Sequence, residues 1–231
     1  MASLRKSIAN VYYRRLQKKF AANASDLSFD WNWAATPYSR FALISLLVTS
    51  RPQGRYLEIG CDTDTVFRAI PARHKVGVDP ARGGTVRATS DDYFASSRET
   101  FDVIFIDGLH TYDQVRRDVV NALDRIEPGG WIVMHDMLPH DWVEGHSPRV
   151  TRGSWTGDVW KAAFDMVATP GLDFKIVLID NGCVVVRAPQ SKVALFDRRP
   201  EMEAATFAFL HAHVHELPLA KWDEFRDWAQ V

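Results

Sequence analysis

The sequence predicts an α/β fold: a doubly wound, mostly parallel sheet that ends in a C-terminal antiparallel hairpin, with helical extensions before and after it. Three observations carry this prediction. Short apolar runs alternate with helical patterns from Arg55 onward, the signature of strands joined by crossover helices. One run, FDVIFID from Phe101, is continuously apolar, as a strand buried on both faces must be. The last two runs, FKIVLID and GCVVVRAP, are joined by Asn181-Gly182, a strong hairpin signal.

Taken in order, residues 4–20 read as an amphipathic helix with Leu4, Ile8, Val11, Tyr12 and Leu16 along one stripe. ANASDLSFDWNWAATPYS breaks the periodicity, and RFALISLLVTS is a second helix. This section, 1–54, is expected to cap the main domain, cover a substrate or meet another subunit. RYLEIG is a strand ending at Gly60, TVFRAI a helix, and KVGVD a strand ending at Asp79. TVRATSDDYF suggests a third strand followed by a loop and helix. FDVIFID is the fourth strand. TYDQVRRDVVNALDRI places Val115, Val119, Ala122, Leu123 and Ile126 on one helical side, and EPGG is expected to end that helix with a left-handed glycine. WIVMHD is the fifth strand. A polar loop over 137–155 leads to the helix GDVWKAAFDMVA and then the hairpin, closing a domain over 55–190. Residues 191–231 form a separate helical extension with Phe207, Leu210 and Val214 at helical spacing. Its His211, His213 and His215 point different ways on a helix, so a solvated or interface helix is expected rather than a metal site.

Composition narrows the partners. In 231 residues, 46% are hydrophobic, ample for a core, and the net charge of −1 gives no basic face for nucleic acid. Cys61 and Cys183 sit in apolar runs and read as reduced core thiols. The first twenty residues lack the apolar run of a signal peptide, and FALISLLV is too short to span a bilayer. A soluble, cytoplasmic protein without a membrane span is expected, with the helical flanks as candidates for a homo-oligomer interface.

Doubly wound sheets bind ligands beyond the carboxyl ends of their strands. Here those ends carry Glu58 and Gly60, then Asp79, then Ser90 and Asp91, then Asp107, then His135 and Asp136. Gly60 permits a sharp turn and close approach to a ligand. Asp79 follows about twenty residues later, where an acid receives the hydroxyls of a ribose. In GCDTDT the further glycines of a dinucleotide fingerprint are missing, and Asp62 and Asp64 would repel a pyrophosphate. A cationic sulfonium ligand meets no such repulsion, which favours S-adenosylmethionine over a nicotinamide or flavin dinucleotide.

These segments, YLEIGCDTDTVFRAI, KVGVDP, ATSDDYF, FDVIFIDGLHTYDQVRRDVVNALDRIEPGGWIVMHDMLP and WTGDVWK, resemble the class I S-adenosylmethionine-dependent methyltransferases, which are Rossmann-like. The likeness is strongest to the subgroup holding macrocin-type sugar O-methyltransferases and the methyltransferases once described as cephalosporin hydroxylases. It covers about Arg55 to Pro189; FIDGLHTY, PGG and the strand ending in HD are its most specific part. The resemblance implies that Glu58, Gly60 and Cys61 to Asp64 hold the methionine portion of the cofactor, that Asp79 binds the ribose, and that Ser90 and Asp91 lie near adenine. It also implies that Asp107 and Asp136 hold Mg²⁺ and that His110 is the general base. Two departures stand out. Asp64 replaces the usual second glycine. His135 replaces a frequent Glu, and as a metal ligand beside Asp107 and Asp136 it would suit Mn²⁺ or Zn²⁺ better than Mg²⁺; His140 and Asp141 are nearby spares.

Each residue also has a purely structural role to weigh. Asp79 before Pro80 suits a turn; Asp107 suits a helix cap, although Thr111 is better placed for that. Tyr112 and Trp155 either contact substrate or pack, and Asp158 suits a helix N-terminus. The sequence thus leads to a methyltransferase acting on a hydroxyl of a sugar or other small polar metabolite, with aromatic walls from DWNWAATPY. A catalytically degenerate cofactor-binding scaffold and a dinucleotide-dependent oxidoreductase are the alternatives.

Overall fold

Strand β3 (Phe101–Ile106) is buried along its whole length and lies inside the sheet, as its unbroken apolar run requires. The computed structural model describes residues 2–51 and 54–231, with side chains from residue 9 onward, so Leu4 and Ile8 of the predicted stripe fall outside the described side chains. The sheet has seven strands in the order β2 (His74–Val78), β1 (Arg55–Ile59), β3, β4 (Ile126–Met134), β6 (Cys183–Arg187), β5 (Phe174–Val177) and β7 (Leu219–Ala220). The first four are parallel, with Leu57 beside both Val76 and Ile104, and Ile104 beside Ile132. β6 is antiparallel to β4 and to β5. β5 therefore runs in the same direction as β4, and its carboxyl end reaches the same rim.

Alternate residues of each strand face opposite layers. Leu57, Ile104, Ile132 and Val186 pack in one core with α4 (Ser90–Ser96), α5 (Tyr112–Leu123), α6 (Lys161–Val167) and α8 (Phe207–His213). Tyr56, Val103, Phe105 and Val185 pack in the other with α2 (Arg40–Thr49), α3 (Thr65–Ala69) and α9 (Trp222–Ala229). The flanks are thus part of the same layers: α2 covers the sheet, and the residues after 190 supply β7 and α9. Helix α1 (Ala2–Lys19) reaches the loop before α6 through Gln17 Nε2, 3.1 Å from Val150 O. Among the described residues, no helix is long and apolar enough to cross a membrane.

The structure departs from the sequence reading in three places. TVRATSDDYF forms no third strand: only Val86 bridges to Val78, because Thr85 and Val86 both donate to Gly77 O at 2.8 and 2.9 Å and the chain turns away. Helix α5 stops at Leu123, before EPGG, which lies at the irregular start of β4 where the register with β3 shifts. Gly129 still takes φ 73°, as a bend within that strand rather than a helix cap. Thr111 occupies the N-cap of α5 without a side-chain capping bond; Asp158 Oδ1 accepts from Tyr112 N at 2.9 Å instead.

Candidate active site

A cleft of about 700 Å³ opens beyond the carboxyl ends of β1 to β4, within the size range of small-molecule sites. Its floor depends on Gly60. At φ +90°, a Cβ there would lie 2.2 Å from Asp107 O and 2.6 Å from Gly108 Cα, so only glycine lets the loop after β1 lie against the loop after β3.

The loop after β1 continues through Asp62 and Asp64, both at positive φ. Asp is among the few residues that tolerate this conformation, so Asp64 supplies the turn that a glycine would. Its carboxylate accepts from Gly84 N at 2.6 Å and stands outside the cleft lining, away from any ligand there. Asp62 does line the cleft, but Arg82 pairs with its carboxylate. The acidic character of this loop is therefore weaker toward a ligand than its sequence suggests.

Asp79 lines the cleft at the end of β2. Its Oδ1 accepts from Ala81 N and Arg82 N, both at 2.8 Å, and its Oδ2 accepts from Asp62 N at 3.0 Å. Burial works to raise its pKa, but these amides and Arg87 hold it below the ordinary carboxylate value. Three of about four acceptor positions are thus used in joining two loops, leaving room for a ribose hydroxyl. Ser90, at the start of α4, is on the lining and accepts from Gln114 Nε2 at 3.0 Å; Gln114 lines the cleft too. Asp91 is exposed, pairs with Arg117 at 3.2 Å, and is off the lining.

Glu58 and Cys61 also lie off the lining. Glu58 is 1% exposed and accepts from Tyr56 Oη at 2.5 Å, on the face of β1 that packs against α2 and α3. Burial raises its pKa to about 7, with the Tyr56 hydrogen bond acting in the opposite direction. The Cys61 thiol is buried among core residues, and burial pushes its pKa up.

At the other end of the cleft, Asp107, His110 and Asp136 converge, with one ligand atom from each lying within 4.8 Å of the others. His110 Nδ1 is 3.2 Å from Asp136 Oδ2, and its Nε2 is 3.6 Å from Asp107 Oδ1. The ring stacks on Trp155 at 5.3 Å between centroids. Gly157 makes this approach possible: at φ +69° its Cβ would fall 1.9 Å from His110 O. His110 Nδ1 and His135 Nδ1 are buried without a hydrogen bond of acceptable geometry, although carboxylates surround both. The His110 ring nitrogen and the Asp107 and Asp136 oxygens, gathered closely, form a donor set that fits a divalent cation. A nitrogen beside two carboxylates suits Mn²⁺ or Zn²⁺ as well as Mg²⁺.

His135 stands outside that close group. Its Nδ1 lies 3.4 Å from Asp107 and 3.2 Å from Asp136, and its Nε2 lies 3.5 Å from Asp180 and 3.3 Å from Arg40 Nη1. Burial lowers the pKa of both imidazoles, but the carboxylates outweigh it: His110 is raised above the ordinary value and His135 well above it. The contact between Arg40 and His135 Nε2 would favour a neutral ring. Three carboxylates around His135 against one guanidinium decide for the charged form, with Arg40 donating to Asp180 Oδ2 at 2.7 Å instead. Asp107 is correspondingly depressed: burial opposes ionisation, but His110 and His135 more than offset it.

Arg40, Gln114, Asp180 and Asn181 belong to this neighbourhood and were not singled out by the sequence. Asn181 Nδ2 donates to Asp136 Oδ1 at 3.0 Å. Asp180 carried a usable signal: FKIVLID is also a strand followed by an acid, and β5 ends on the same rim. Tyr112 is not at the site; its hydroxyl donates to buried Asp165 at 2.8 Å. The C-terminal histidines do not cluster: His211 stacks on Phe29, and His213 on Phe209.

Residues 41–137 match the model of a family described as a methyltransferase domain. Solved structures with similar chains include an S-adenosylhomocysteine-bound methyltransferase of Podospora anserina. It is 16% identical with a TM-score of 0.49, over 77% of this chain and 95% of that one. The O-methyltransferase TomG of Streptomyces achromogenes, solved with S-adenosylmethionine, is 16% identical with a TM-score of 0.44, over 65% and 79%. MycE of the mycinamycin pathway, solved with Mg and S-adenosylhomocysteine, is 18% identical with a TM-score of 0.41, over 63% of this chain. The chain spans 47% of the length of MycE. Comparison with curated proteins gives no match.

Proposed function

We propose that this protein is an S-adenosylmethionine-dependent O-methyltransferase that modifies a hydroxyl of a sugar or other small polar metabolite. The observation that carries the reading is the meeting of Asp107, His110 and Asp136 at the end of a cleft whose other end presents Asp79 and Ser90. Asp79 would receive the ribose, Ser90 with Gln114 would lie at the adenine, and the Gly60 turn would pass beside the methionine portion. S-adenosylmethionine, when bound, would supply a sulfonium-activated methyl group to the acceptor oxygen and leave as S-adenosylhomocysteine.

The chain itself aligns the acceptor and takes its proton. His110 is the base: a neutral ring nitrogen removes the hydroxyl proton, while Trp155 holds the ring plane. Asp107 and Asp136 would hold a divalent cation, which would lower the pKa of a bound hydroxyl. Two carboxylates completed by water suffice for such an ion, leaving His110 to act as base. Asn181 and His135 fix the orientation of the two acids.

Calorimetry with S-adenosylmethionine, then transfer of label to a panel of glycosides with and without chelator, tests the reading. Binding with chelator-sensitive transfer is expected. No binding would remove the reading; transfer indifferent to chelator would remove the metal alone. Binding without transfer to any acceptor would favour the scaffold alternative.

A further inference from the structure

A second cavity, of about 440 Å³, lies apart from the cleft residues and is built by the two flanks of the domain. Trp31, Trp33 and Tyr38 come from the segment before α2, and Trp222 comes from the start of α9. The aromatic groups form two parallel pairs: Trp31 on Trp33 at 5.7 Å and 21°, and Tyr38 on Trp222 at 4.2 Å and 13°. Asp30, Asn32, Thr36 and Asp223 also line the cavity, and none of their side chains has a partner among the described residues. Trp33 Nε1 is buried and unpartnered.

Aromatic side chains ringed by polar groups without a protein partner match one ligand chemistry closely. A pyranose presents a flat patch of C–H groups to an aromatic face and hydroxyls around its edge to carboxylates and amides. Two acids against Lys221 disfavour an anionic ligand. Connectivity ties this cavity to the cleft: Tyr38 is two residues before Arg40, and Leu178 is three before Asn181, and both Arg40 and Asn181 line the cleft. Two or three residues span at most about 7–11 Å, so these wall residues of the two cavities lie close together.

We propose that this cavity is a distal subsite for a neutral pyranose unit of the acceptor. The proposal rests on the glycoside form of the functional reading, but its test is independent of transfer. Ligand-observed saturation-transfer NMR is recorded on the full chain without cofactor, using methyl pyranosides as probes, with acetate and choline as controls. Saturation of the pyranoside C–H protons is expected, with affinity about tenfold weaker in Tyr38→Ala. Trp33→Ala removes another part of the aromatic wall, and is expected to weaken binding as well. Tyr38 is 42% exposed, so its loss leaves the core intact, which the thermal midpoint verifies. Binding unchanged in Asp107→Asn supports a site outside the cleft. Binding lost in Asp107→Asn but kept in Tyr38→Ala overturns the proposal, as does saturation of choline alone or of no probe. Failure here with S-adenosylmethionine binding intact leaves the methyltransferase reading standing.

Discussion

His110 and Glu58 are both titratable groups moved off their ordinary values, with opposite consequences. A base works only when unprotonated, and the carboxylates of Asp107 and Asp136 hold His110 above the usual imidazole value. In the metal-free protein His110 should therefore titrate above pH 6.5, the ordinary imidazole value, and a divalent ion on Asp107 and Asp136 should lower that value and with it the acid limb of the kcat–pH profile. His110→Ala should lower kcat by about 10²-fold or more and flatten that limb; retained turnover would end its role as base. Glu58 is instead a stability group. Its carboxyl ionises near 4.5 when unfolded and near 7 when folded. Its contribution is complete below pH 4.5 and is lost as pH rises through 7, a change of about 3 kcal/mol. Glu58→Gln keeps an acceptor for Tyr56 and removes the titration. The drop in thermal midpoint between pH 5 and pH 8 should then shrink by roughly 5–10 °C. Equal drops in the two proteins would refute the assignment. Because Glu58 lies off the cleft lining, cofactor affinity in Glu58→Gln should stay near wild type; a large loss would restore its contact with the methionine portion.

At the scale of elements, the site is a set of strand ends, and what holds them together is close backbone approach. Gly60→Ala puts a methyl group into Asp107 O at φ +90°, and is expected to cost about 3 kcal/mol and abolish cofactor binding. Gly171→Ala is the control: φ is +77° and nothing lies within 4 Å, so only backbone strain of about 1 kcal/mol remains. Chemical denaturation of both variants measures the difference, and equal costs would refute the contact argument. The strands and rim acids were legible because they follow a rule with one period and one direction: an apolar run, then a polar residue. Where that rule failed, a local competitor had won. Val86 did not extend into a strand because Gly77 O takes two amides at once and turns the chain. Thr111 did not cap α5 because Asp158, distant in sequence, arrived first. Arg40 was illegible for a different reason: nothing in RFALISLLVTS marks its first residue as reaching a site built by other segments. Asp180 was legible but was absorbed into the reading of the hairpin, since β5 looks like half of a turn rather than a strand ending on the active rim.

For the molecule as a whole, the flanks decide whether the fold is one cooperative unit. From sequence alone, residues 191–231 look like a separate helical piece, because their apolar positions fit a helix stripe. In the structure, Leu219 and Ala220 pair in parallel with Ile176 and Val177, extending the sheet by one strand. Phe225 is fully buried in the same core as Tyr56, Phe105 and Val133 from the sheet. Met202, Phe207 and Leu210 enter the opposite core, so the extension is packed on both faces of the sheet. Phe225→Ala should cost about 3–5 kcal/mol as transfer and cavity terms combine. In a chain of this size that lowers the thermal midpoint by roughly 10 °C. Since Phe225 shares its core with the central strands, calorimetry should show one transition moving as a whole. An independent extension would instead produce a small early transition and leave the main one in place. His215→Ala, an exposed change in the same extension, should move neither the midpoint nor the shape of the transition.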